Sequence, residues 1–238
     1  MKALILNSGM GKRMGALTTE QPKCMTEIGK NKTILSRQLR LLSECGINEI
    51  VMTTGLFSDI LIDYCKSLNL NLDYKFVHND IYDKTNYIYS IYLAREYLYD
   101  DIVLMHGDLV FEKSVIEDVL AHNGSCMTVS STIALPPKDF KAVLEKDIIS
   151  KIGVEFFDNA VAAQPFYKLE ERDWLIWLDK IIEYCKNGKV SCYAENAFND
   201  VSSKCSLYPI DYKNRLCGEI DTPEDLEIVV QNLQSLSN

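Results

Sequence analysis

The chain has 238 residues, with 25 Lys and Arg against 34 Asp and Glu and a formal net charge of −9. Hydrophobic residues make up 47% and charged residues 25%, the balance of one globular domain rather than a disordered or fibrous chain. Such acidity disfavours nucleic acid and anionic membranes as partners, but leaves room for a small anion held by a few placed cations.

Met1-Lys2 runs directly into Ala3-Leu4-Ile5-Leu6, without signal-peptide architecture. That apolar run, closed by the turn signal Asn7-Ser8-Gly9, predicts a buried first strand. Residues 33–45 carry Ile34, Leu35, Leu39 and Leu42, with Gln38 among them, at helical spacing, and Gly46 ends the helix. A strand over 49–54, a helix over 60–68, a strand over 72–78, a helix over 86–99 and a strand over 102–105 follow. This β-α-β-α alternation predicts an α/β fold whose mostly parallel sheet carries helices on both faces. The second half is less regular. It predicts strands over 126–132, 152–157 and 206–212, and a helix over 170–186 with Trp174, Leu178 and Ile181 on one face. A short strand over 217–220 leads to a last helix announced by Thr222, Pro223, Glu224 and Asp225. No repeat or linker interrupts residues 1–238, so a single domain is expected. Apolar stretches fall well short of the ~20 residues a membrane span needs, so no membrane insertion is expected. The eight cysteines lack metal-ligand spacing and are expected to be reduced, mostly buried thiols of a cytoplasmic protein.

In an open parallel sheet, ligands gather beyond the carboxyl ends of the strands. The loop after the first strand, Asn7-Ser8-Gly9-Met10-Gly11-Lys12-Arg13-Met14-Gly15, offers glycines whose amides can face phosphate oxygens, followed by two cations. It is neither GxGxxG, which needs glycine at Met14, nor a Walker A loop, which needs glycine at Leu6. The bland alternative is a tight turn. Lys23, after Pro22, is a second candidate phosphate ligand, or else a solvated lysine. Asp108, at the end of the strand over 102–105, is placed to hold a divalent cation, or else caps a turn. Asp221 before the last helix is a second carboxylate for that ion, or else supports the helix N-terminus. No Ser-His-Asp or Cys-His arrangement is readable. His106 is read as a residue that lines the site at most.

Taken in order, Leu4 to Met14, Gln21-Pro22-Lys23-Cys24-Met25, Gly107-Asp108 and Glu219-Ile220-Asp221-Thr222-Pro223-Glu224-Asp225-Leu226 resemble the nucleotidyltransferases. Asn79-Asp80-Ile81-Tyr82-Asp83-Lys84-Thr85-Asn86-Tyr87-Ile88-Tyr89-Ser90 is similar to the matching segment of phosphocholine and 2-aminoethylphosphonate cytidylyltransferases. The chain departs from the family in carrying Asn7-Ser8 where Ala-Ala is usual. The resemblance implies a three-layer Rossmann-like fold, with residues 1–125 binding nucleotide and 126–238 binding the acceptor and supplying the second metal carboxylate. It implies a Mg²⁺-dependent transfer of CMP from CTP to a small phosphorylated or phosphonate acceptor, with loss of pyrophosphate. Lys12, Arg13 and Lys23 would be the catalytic cations, and Asp108 and Asp221 the metal ligands. Asn7, Ser8, Gly9, Met10, Gly11, Gly55, Asn86 and Ser90 would bind the nucleotide, and Glu195 and Asn199 the acceptor. The product would be an activated head group for a surface polymer or lipid. Rival readings are a hexose-1-phosphate nucleotidyltransferase using UTP or dTTP, and a non-catalytic nucleotide-binding regulator. A homodimer is the default oligomer.

Overall fold

Ala3, Leu4 and Ile5 are fully buried in the computed structural model, which describes residues 1–236; the last two residues of the expected 1–238 domain lie outside the described residues. They belong to strand β1 (Lys2–Asn7). Its side chains alternate between two cores, Leu4 and Leu6 entering one and Ala3 and Ile5 the other. After the short hairpin of β2 (Glu27–Gly29) and β3 (Lys32–Thr33) comes helix α1 (Ile34–Glu44), started by a Thr33–Ser36 capping box. Then follow β4 (Glu49–Thr54), α2 (Ser58–Ser67), β5 (Asp73–His78), α3 (Tyr87–Ala94) and β6 (Ile102–His106). These strands form the expected parallel block β5-β4-β1-β6.

The chain continues through β7 (Leu109–Phe111), α4 (Lys113–Ala121), β8 (Ser125–Ser130), β9 (Lys141–Glu145), β10 (Ile148–Gly153) and β11 (Ala160–Leu169). It ends with α5 (Glu171–Lys186), α6 (Ala194–Val201), β12 (Leu207–Asp211), β13 (Cys217–Glu219) and α7 (Pro223–Ser235). β11 extends the parallel block antiparallel to β6 and carries β8 and β9 further along its length. Its pairing with β8 shifts register between Ala163 and Tyr167, around Pro165, which has no N–H to give a ladder. The strand expected over 152–157 lies earlier, at β10, because residues after Gly153 turn away from the sheet.

One core packs α3 and α5 through Ile88, Ile91, Trp174, Trp177 and Ile181; the other packs α1, α2 and α4 through Leu35, Leu39, Leu61, Val115 and Val119. A smaller core under α7 joins Met14, Ile34, Val110, Ile220 and Val229. It ties the loop after β1 to the C-terminal helix. All eight cysteines are free thiols, most of them buried. No helix among the described residues is long and apolar enough to cross a membrane.

Candidate active site

Parallel register brings the carboxyl ends of three strands level, Asn7 opposite Thr54 and Leu6 opposite His106. Two glycines let the loops there touch. A Cβ on Gly55 would lie 2.6 Å from the Ser8 carbonyl oxygen, and one on Gly107 would lie 1.6 Å from Asn7 Oδ1. The Asn7 side chain therefore occupies space that only glycine at 107 leaves open.

Lys23 is the centre of the constellation. Gly11 turns the loop with a left-handed φ of 60°, and its bare Cα faces the Lys23 stem. Lys23 Nζ donates to Asp108 Oδ2 and to Asp221 Oδ1, each at 2.6 Å, and the Arg13 guanidinium reaches Asp221 Oδ1 at 2.9 Å. Burial acts to lower the Lys23 ammonium, but Asp108 and Asp221 outweigh it and raise it. Burial likewise acts to raise Asp108, and the Lys23 charge holds it below the usual carboxylate range.

Distant segments fix these groups. Gln38 Nε2, buried on α1, donates to the carbonyls of His106 at 2.9 Å and Leu109 at 2.8 Å, clamping the turn that carries Asp108. The β7–β13 ladder pairs Leu109 with Glu219, and Ile220 N donates to the Asp108 carbonyl at 3.1 Å, so Asp221 arrives alongside. The carboxylate that caps α7 is Asp225, whose Oδ2 accepts from the N–H groups of Asp221 at 3.0 Å and Thr222 at 2.8 Å. That leaves the Asp221 carboxylate to the cleft.

Two clefts meet at Leu6, Gly9 and Asp108. The first, about 270 Å³, is lined by Asn7, Gly11, Lys12, Arg13, Lys23 and Asp221 among others. The second, about 180 Å³, is lined by Ser8, Tyr82, Thr85, Asn86, Tyr87 and His106. A lining residue of each carries a buried polar atom without a partner: Asn7 Nδ2 at the first and His106 Nε2 at the second. Such atoms are costly unless a ligand satisfies them. His106 Nδ1 lies 2.7 Å from Glu219 Oε1. Burial works against the imidazolium, yet Glu219 pushes it up to about 9; burial and repulsion by Asp108 push Glu219 up to about 7, against the pull of His106. Both shifts mean that the pair keeps a proton above neutral pH.

The other expected site residues divide. Asn86 lines the second cleft and also caps α3, its Oδ1 accepting from Tyr87 N at 2.7 Å. Ser90 does not face a cleft directly: its hydroxyl is 2.7 Å from that of Ser8 and accepts from Asn79 Nδ2 at 3.0 Å. Gly55 acts through its contact with Ser8, and Met10 is half-buried within the loop. Glu195 and Asn199, expected to bind the acceptor, line neither of these clefts. Glu195 is buried on α6 with one oxygen accepting from Tyr87 and the other from Tyr167 at 2.8 Å. Asn199 spends both ends of its amide on the backbone of Ile152, each at 2.8 Å. The Tyr87 ring held by Glu195 packs edge-on against His106, centroids 4.7 Å apart, and Tyr193 and Phe140 continue the aromatic cluster.

Sequence reasoning missed Gln38, Asn79 and Glu219. Asn79 and Glu219 stand inside quoted motifs. Gln38 was signalled as a polar residue on the apolar face of α1.

Two groupings offer metal ligands. His106, Asp108 and Glu219 bring ligand atoms within 4.8 Å of one another, with His106 Nδ1 and Glu219 Oε1 already paired. Asp108 and Asp221 supply hard oxygen donors of the kind Mg²⁺ takes, and Asp108 Oδ1 is buried without a partner. That donor set fits the ion.

Residues 3–143 match the family model described as a MobA-like NTP transferase domain. The CTP:phosphoglutamine cytidylyltransferase of Campylobacter jejuni is 32% identical over 126 residues, which span 50% of this chain but only 48% of that protein. The choline-phosphate cytidylyltransferase of Streptococcus pneumoniae is 26% identical over 248 residues, covering 98% of this chain and 99% of that one. The solved structure of the pneumococcal CTP:phosphocholine cytidylyltransferase superposes with a TM-score of 0.75 at 21% identity, over 98% of both chains, and shares the fold. The protein belongs to the MobA-like NTP transferase domain family.

Proposed function

We propose that this protein is a Mg²⁺-dependent cytidylyltransferase that moves CMP from CTP to a small phosphorylated or phosphonate acceptor of the phosphocholine type. The observation that carries the reading is Lys23 clasped by Asp108 and Asp221 beside a glycine-bearing loop with Lys12 and Arg13. An acceptor phosphate oxygen attacks the α-phosphorus in line; the new P–O bond forms as the bond to the β-phosphate breaks and pyrophosphate leaves. That oxygen is already anionic, so no general base is needed, and catalysis is positioning plus charge neutralisation. Loop amides from Ser8 to Gly11 and the free Asn7 amide cradle the phosphates, while Lys12 and Arg13 hold the triphosphate and Lys23 faces the α-phosphate. Asp108 and Asp221 would hold Mg²⁺, whose positive charge would help neutralise the phosphates. Ser8, buttressed by Ser90 and Asn79, lines the nucleoside side with Asn86. The acceptor enters past Tyr193 and Phe140, with His106 Nε2 as an anion donor. In this reading residues 1–125 chiefly serve the nucleotide, with His106 at the boundary, and 126–238 supply the acceptor wall and the second metal carboxylate, Asp221. The reaction belongs to the cytoplasm and makes an activated head group.

Thermal shift with CTP, UTP, dTTP, ATP and GTP in the presence of Mg²⁺ tests the nucleotide assignment. Selective stabilisation by CTP is expected. Selective stabilisation by UTP or dTTP would point instead to a sugar-phosphate nucleotidyltransferase.

A further inference from the structure

Lys141 opens β9 and is fully buried, yet its ammonium has no carboxylate partner among the described residues. Nζ donates to two backbone carbonyls, Pro136 at 2.7 Å and Asp139 at 3.0 Å, and sits 4.3 Å from the Phe157 ring centroid. Asp139 and Glu155 act on it only at longer range, and burial lowers its pKa. Burying an ammonium without a carboxylate is unfavourable, so its hydrogen bonds to the two carbonyls offset that cost only while the turn keeps them in place.

What they hold is the turn from Pro136 to Asp139, a stretch without regular secondary structure that runs straight into the site. Phe140, the next residue, is 6% exposed and sits edge-on to Tyr193 at 5.1 Å and to His106 at 6.5 Å between centroids. Asp139 lies within electrostatic reach of Asp221, Asp225 and Arg13. The turn is fixed at one end by the sheet, where the Phe140 carbonyl accepts from Ala163 N at 3.0 Å. At the other end, Lys141 is the charged side chain that hydrogen-bonds to it among the described residues. Leu135-Pro136-Pro137 stiffens the span between, since proline fixes φ.

We propose that Lys141 is a positioning residue for the acceptor: it pins the 136–139 turn so that Phe140 closes the aromatic wall beside His106 and Tyr193. The inference rests on the reading above that the acceptor binds at this wall. The nucleotide side, built from β1, β4 and α3, does not depend on it.

The test compares wild type, Lys141→Met and Phe140→Leu in two measurements. The first follows trypsin cleavage after the exposed Lys138 under native conditions. The second measures KM and kcat by pyrophosphate release from CTP and Mg²⁺, with phosphocholine, phosphoethanolamine and 2-aminoethylphosphonate as acceptor probes. In Lys141→Met the released turn should be cut about tenfold faster. Its acceptor KM should rise about tenfold while KM for CTP stays within about twofold. Phe140→Leu keeps the ammonium and should reproduce the acceptor effect without faster cleavage; an unchanged acceptor KM in Phe140→Leu overturns the proposal even if Lys141→Met does not fold. Unchanged cleavage, an unchanged acceptor KM, or a parallel rise in KM for CTP overturns the proposal. A wild type that uses no acceptor refutes the functional reading instead, and cleavage alone then decides whether Lys141 pins the turn.

Discussion

Asp108 meets Lys23 through one oxygen and leaves the other buried and unpaired. If that carboxylate organises charge at the reacting phosphate, Asp108→Ala should lower kcat by about 10³ or more. Its far-UV circular dichroism should match wild type, because no core contact is lost; activity within about tenfold of wild type would remove Asp108 from the mechanism. Chelation with EDTA should abolish turnover and added Mg²⁺ should restore it. Asn7 and Gly107 supply a second test, because the side chain of one fills the Cβ position of the other. Gly107→Ala should cost about 10²-fold in kcat by displacing Asn7 and the turn before Asp108. Adding Asn7→Ala relieves the clash and should recover most of kcat, at the expense of about a tenfold higher KM for CTP from the lost amide donor. Additive losses in the two single variants and the double variant would show that the contact is not the cause. The residue types of this site are legible in sequence, since cations after a glycine loop and two separated Asp-bearing motifs carry recognisable chemistry. Their partners are not. Nothing local says that Glu195 will be consumed by two tyrosines, or that Asn199 will bond the backbone of a strand 47 residues away.

Elements that repeat a clear period are the ones the sequence discloses. β1 and β4 are apolar runs buried on both faces, and α5 carries its tryptophans and aliphatics on one stripe. β11 is different. It is a central strand, but Gln164-Pro165 interrupts it, and a proline argues against a central strand unless a bulge absorbs the missing donor. The register shift is that bulge, in a strand that pairs with β6, β8 and β9. α7 shows the opposite case, with Thr222, Pro223 and Asp225 spelling out its start. The structure adds that Asp225, not Asp221, is the capping carboxylate. Thr222→Ala should therefore cost about 1 kcal/mol of stability. A calorimetric melt should show it as a fall of about 2–4 °C in Tm for a chain of this size. A loss of activity without any fall in Tm would mean that Thr222 serves the site rather than the helix.

At the scale of the whole molecule, the site exists because residues far apart in sequence converge. Lys23 and Asp221 stand 198 positions apart, joined by the β7–β13 ladder and by the small core under α7. Alternation of strands and helices in the first half was enough to foresee a parallel sheet and the edge where loops collect. It was not enough to foresee the antiparallel extension through β11, since long-range pairing leaves no local period to read. The fold and its family follow from the matched domain, while the choice of acceptor is proposed to rest on the aromatic wall and on the turn that Lys141 bonds. The most direct test of the account is pyrophosphate release by the purified protein from CTP and Mg²⁺. The acceptor panel should contain small phospho-alcohols, phospho-amides, phosphonates and sugar 1-phosphates. The account predicts release that requires CTP, Mg²⁺ and one non-sugar phosphorylated or phosphonate acceptor. Release with sugar 1-phosphates alone, or no binding of CTP, would contradict it.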